Sequence, residues 1–197
     1  MKFFLKLVLT TAALQLEPAY ARADLLEMPQ SVALFGGAMV NEDMFAAADF
    51  VGANYESNTL LGLGYQVFPY QIGAFNLGLE AGLAGRFGRN ASGEVWGGAV
   101  GRYDALGLGS VRISPSFTFG LSHVTQSQKG RERDHEQKRD GDARTLFYLA
   151  PEVSFARDTA PDTEVFWRLH HRSGAWGTLG DMHGGSNANV IGVRSRF

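Results

Sequence analysis

Apolar and polar residues alternate with period two in eight short segments, spanning approximately 31–40, 57–69, 72–88, 94–106, 111–125, 144–157, 163–173 and 188–197. Period two is the signature of a β-strand, whose successive side chains point to opposite faces. Within 111–125, Val111, Ile113, Phe117, Phe119 and Leu121 share one face, and Arg112, Ser114, Ser116 and Thr118 the other. Within 144–157, Phe147, Leu149, Val153 and Phe155 oppose Glu152 and Ser154. Segment 163–173 has the sharpest contrast: Val165, Trp167, Leu169, His171 and Ser173 alternate with Phe166, Arg168, His170 and Arg172. Either the apolar face is a soluble core and the arginines face water, or the apolar face meets lipid and the charges fill a narrow interior.

The connections decide between these. Those at 41–56, 89–93, 126–143 and 174–187 are mostly long, whereas those near 70, 107–110 and 158–162 are short. Long loops at one end and short turns at the other, with an even strand number, describe an outer-membrane barrel. The expected fold is therefore all-β, an eight-stranded antiparallel transmembrane β-barrel whose termini lie on the periplasmic side. Glycine supports it: 25 of 197 residues, roughly double the usual share. After the N-terminal region no apolar run is long enough for a transmembrane helix.

Residues 1–23 read as a secretory signal peptide. Lys2 and Lys6 precede a short apolar stretch, and Ala21-Arg22-Ala23 forms a small-x-small cleavage site. Residues 24–197 then form a single barrel domain, localised to the cell outer membrane. Removing Lys2, Lys6 and Arg22 together with Glu17 takes the net charge from −2 to −4, which argues against nucleic acid as a partner. Absence of cysteine excludes disulfides, a thiolate nucleophile and Cys-type zinc sites. His123, His135 and His183 lack metal-ligand spacing, so neither metal nor cofactor is expected. Acids and bases nearly cancel in 126–143, which reads as a solvated loop. Gly78, Gly82 and Gly85 lie inside a strand segment without the Lys-Ser/Thr of a phosphate loop, and read as packing or bending positions.

With periplasmic termini, the seventh strand runs outward, and His171 and Ser173 stand at its outer end on the lipid face. Residues two apart on a strand lie on the same side, about 6.6 Å apart. A histidine there can take the proton that makes a serine nucleophilic, and a third group usually orients the histidine. Asn189 shares the outward parity of the last strand and is the candidate for that role. The bland alternative is that these residues begin the polar rim, where polar side chains cost little.

His-His-Arg-Ser-Gly at 170–174, the glycine-rich loop, Gly-Ser-Asn at 185–187 and the terminal Arg-Phe resemble the PagL lipid A 3-O-deacylase family, over about the last 35 residues. The resemblance implies an outer-membrane esterase acting on lipid A of lipopolysaccharide in the outer leaflet, with His171 as base and Ser173 as nucleophile, and it leaves room for a homodimer. The family carries an acidic residue on the last strand where this chain has Asn189, and an asparagine after the nucleophile where this chain has Gly174. A catalytically lapsed barrel, structural or lipid-binding, stays open, as does a small channel or receptor.

Overall fold

A computed structural model describes residues 27–197; the expected signal peptide lies outside the described residues. Nine strands and two short helices follow one another: β1 (Gln30–Val40), α1 (Met44–Ala47), β2 (Tyr55–Ile72), β3 (Phe75–Phe87), β4 (Ser92–Tyr103), β5 (Leu106–Leu108), β6 (Val111–Val124), α2 (Arg131–Arg139), β7 (Thr145–Arg157), β8 (Ala160–Ser173) and β9 (Gly185–Arg196). The barrel itself has eight strands. Each pairs antiparallel with its neighbours, β4 pairs with β6, and β9 closes on β1. The ninth, β5, adds a three-residue hairpin to the start of β6 in the connection expected to be a plain turn.

Polarity is inverted relative to a soluble domain. The outer wall exposes Leu34, Leu61, Leu63, Leu79, Leu83, Phe119, Leu121, Val165, Ile191 and Val193. The interior holds Glu80, Glu94, Arg86, Arg102, Glu152, Glu164, Arg168, Arg172 and Arg194, each at most 3% exposed. A wall that is apolar outside and charged inside is stable only when lipid surrounds it.

The charges inside form a ladder. Arg102 and Arg194 bind Glu164, Arg194 also binds Glu152, and Arg168 joins Glu152 to Glu80. Above them His170 Nε2 lies 2.9 Å from Glu94 and its Nδ1 is 3.2 Å from Tyr148 Oη, so His170 faces inward, as its parity requires. Phe35, Phe166, Trp96 and Tyr148 fill the space between the rungs. Trp96 fits because Gly82 stands opposite: a Cβ there would lie 2.1 Å from Trp96 Cζ2.

Segment 126–143 departs from the expected solvated loop. It contains α2, and Glu132 drops from it into the barrel mouth. There the carboxylate accepts bonds from Arg86 (2.7 Å), Arg172, Ser186 Oγ (3.1 Å) and the Gln128 amide (2.7 Å). Burial alone would push the Glu132 carboxyl up, but Arg86 and Arg172 outweigh it and hold it below the usual range. Asn58 and Asn90 tie the flanking backbone at Lys129 and Ser127. The helix forms through these tertiary contacts, since its own sequence has no apolar stripe.

Candidate functional site

His171 and Ser173 end β8 on its outward face, half-buried. Antiparallel pairing sets Leu149 and Phe147 of β7 beside them on one side, and Asn187 and Gly185 of β9 on the other. The register corrects one expectation. Asn187, not Asn189, lies directly across from His171, and its Oδ1 is 2.5 Å from His171 Nδ1. Asn189 lies across from Leu169 and does not touch His171; it accepts from Trp167 Nε1 (3.0 Å) and donates to the Ala47 carbonyl (2.8 Å). The two asparagines share a face, and only the register distinguishes them.

The Asn187 amide has a defined orientation. Its Nδ2 donates to the Glu42 carbonyl at 2.6 Å, which leaves Oδ1 as the atom facing the imidazole. An oxygen there requires His171 Nδ1 to carry a proton. In the neutral ring Nε2 then keeps its lone pair, the tautomer that a general base needs.

Ser173 Oγ accepts the Ala175 N–H at 3.1 Å. Among the described residues no direct hydrogen bond joins His171 to Ser173; contacts of this kind often tighten only when substrate binds. Asp181 does not reach His171; it approaches His183, with 3.9 Å between Oδ1 and Nε2. Both members of the pair open into a groove of about 730 Å³ on the outside of the barrel. Phe119, Phe147 and Leu149 form its strand wall, Met44 and Phe45 of α1 the opposite lip, and His183 and Trp176 its loop end. Arg131, salt-bridged to Asp43, stands at the rim.

Two contributors escape sequence reasoning: no spacing singles out His183, and α1 is too short to leave a periodic signal. Asn187 shares the outward parity of Asn189 and closes the Gly-Ser-Asn at 185–187, but alternation does not say which of the two asparagines meets His171.

No family model matches the sequence, and no curated protein matches it. Among solved structures, the chain is similar to the outer membrane enzyme PagL, with TM-score 0.55 and 12% identity over 84% of this chain and 98% of that one. It is also similar to Neisserial surface protein A, NspA, with TM-score 0.51 and 11% identity over 86% and 97% of the two chains. At such identities the likeness establishes the fold. With the inverted polarity of its wall, that makes this chain an eight-stranded outer-membrane β-barrel.

Proposed function

We propose that this barrel is an outer-membrane esterase that removes the ester-linked 3-hydroxyacyl chain from lipid A. The observation carrying the proposal is the hydrogen-bond chain from His171 Nδ1 through Asn187 to the Glu42 backbone carbonyl, which leaves the Nε2 lone pair free on the same face as Ser173, beside an apolar groove on the outer wall. The resemblance of residues 170–174 and 185–187 to the PagL deacylases supplies the substrate class.

In this reading Ser173 Oγ attacks the ester carbonyl carbon while His171 Nε2 takes the hydroxyl proton. The C–O bond to the sugar then breaks, and the imidazolium returns the proton to the departing sugar oxygen. Water, deprotonated by the same nitrogen, hydrolyses the acyl-serine and releases the 3-hydroxy acid. The Ala175 N–H donates to Ser173 Oγ itself, so an oxyanion donor must come from a backbone amide that turns to the carbonyl oxygen when substrate binds. Asn187 holds the ring but brings no negative charge to the imidazolium, so it supports the base less than a carboxylate would.

A second reading is a lapsed barrel that binds lipid without cleaving it. The unjoined His171 and Ser173 and the missing acid favour it. Expression in a Gram-negative host with hexa-acylated lipid A, followed by mass spectrometry, separates the two. Loss of one 3-hydroxyacyl chain with the native protein, and none with Ser173→Ala, is expected. An unchanged spectrum from a folded, membrane-inserted native barrel would refute hydrolysis of this substrate.

A further inference from the structure

The apolar belt is interrupted on one side of the barrel. On β3 the outward positions Phe75, Leu77, Leu79, Leu83 and Phe87 expose apolar side chains along the whole strand. On β9 only Ile191 and Val193 do so; above them the outward positions are Asn189 and Asn187. On β8 the outward face above Val165 runs through Leu169 to His171 and Ser173, and Leu169 is 1% exposed. A lipid-facing strand would not bury its leucine or leave two asparagines to hydrocarbon.

Residues 41–54 account for both. Instead of rising from the rim, the segment folds back over the outer wall. Ala47 packs on Val40 and Leu169, with Met44 and Trp167 beside them. Its carbonyls at Glu42 and Ala47 take the amide protons of Asn187 and Asn189, so the polar side chains of the wall are satisfied beneath it. On its far side Phe45 and Val51 are each 91% exposed. Two apolar side chains exposed to that degree stand on the segment that covers the wall where the belt is missing.

We propose that residues 41–54 form a membrane-embedded patch, with Phe45 and Val51 inserted among the acyl chains of the outer leaflet. The partner is the lipid hydrocarbon itself, argued from continuity with the belt on either side. The patch completes the lipid-facing wall over β8 and β9 and makes the groove's lip out of side chains already immersed in lipid. A lipid chain can then enter the groove sideways from the leaflet without crossing water. The placement of the patch does not depend on the esterase reading.

The chain has no cysteine, so single-site spin labelling needs no background changes. Phe45→Cys, Val51→Cys, Leu79→Cys on the belt and Lys138→Cys on α2 would each carry a nitroxide in the full barrel, reconstituted in phosphatidylcholine vesicles. Collisional accessibility to oxygen and to a water-soluble nickel chelate reports immersion. Labels at Phe45 and Val51 are expected to match Leu79: favoured by oxygen and several-fold less accessible to nickel than Lys138. A Phe45 label with the nickel accessibility of Lys138 overturns the proposal, whatever Val51 gives, because the patch would then stand in water. Circular dichroism of each labelled barrel confirms that the strands are intact before either result is read.

Discussion

Asn187→Ala is the sharpest test of the site. The substitution removes the acceptor facing His171 Nδ1 and the donor to the Glu42 carbonyl. Under the proposed esterase mechanism the imidazole is protonated in the transition state, so the lost bond is one to a charged group, worth about 1.5–3 kcal/mol. At 1.36 kcal/mol per decade, that lowers the rate about 10- to 150-fold, carried mainly by kcat. The assay is release of 3-hydroxy fatty acid from lipid A by purified barrel, quantified by mass spectrometry. Asn189→Ala is the matched control. It cuts the Ala47 tether of residues 41–54 without touching His171, and its kcat should stay within about threefold, well short of one decade. If Asn187→Ala is harmless while Asn189→Ala costs tenfold or more, the register argument is wrong and Asn189 orients the base.

Other perturbations probe the scaffold. Glu132→Ala leaves Arg86 and Arg172 to share Glu94 at 3.8 and 3.7 Å, with Ser122 and two carbonyls also on Arg172; removing the close partner of buried cations costs roughly 3–5 kcal/mol, read as a lower urea midpoint, and an unchanged midpoint would show that the carboxylate is not buried between them. The Glu132 carboxyl is depressed below its ordinary value of 4.5 by Arg86 and Arg172, against the opposing effect of burial. Its contribution is therefore complete above pH 4.5 and lost as pH falls through the folded value; stability that declines between pH 7 and 5, and recovers in Glu132→Gln, would contradict this. Gly82→Ala drives a methyl group to 2.1 Å from Trp96 Cζ2, an overpacking of about 1–3 kcal/mol, visible as a shifted Trp96 environment in near-ultraviolet circular dichroism together with a lower midpoint.

Strand number, wall polarity and the outward placement of His171 and Ser173 were legible in the sequence, because all three follow from period-two parity and loop length. What parity leaves undetermined is register. It places Asn187 and Asn189 on one face and does not say which meets His171. That depends on where β9 begins, and β9 starts at Gly185 opposite Ser173, three residues before the alternation becomes readable at Ala188. The folding of 126–143 is illegible for a different reason. Charged residues all round a nine-residue helix leave no stripe, and what holds α2 is tertiary: the Glu132 carboxylate inserted into a site built by β3, β8 and β9, and the Asn58 and Asn90 ties to the backbone before the helix.

The interior ladder supplies the register that alternation lacks. Buried ion pairs are weak evidence for stability, since apolar side chains of similar volume often do as well. They are selective, however. A two-residue slip of β8 against β9 would keep every side chain on its face, yet it would pull Arg194 away from Glu164 across the β8–β9 pair. The same slip would separate Arg168 and Arg172 from Glu80, Ser122 and Glu132, which lie on β3, β6 and α2. Arg172 sits between His171 and Ser173 in the chain, so its four inward partners fix the backbone that carries both outward groups. A lumen filled in this way is poorly suited to conduction, since eight strands leave room for little more than side chains. The charges inside are better understood as the device that fixes the register setting His171 against Asn187 on the outside.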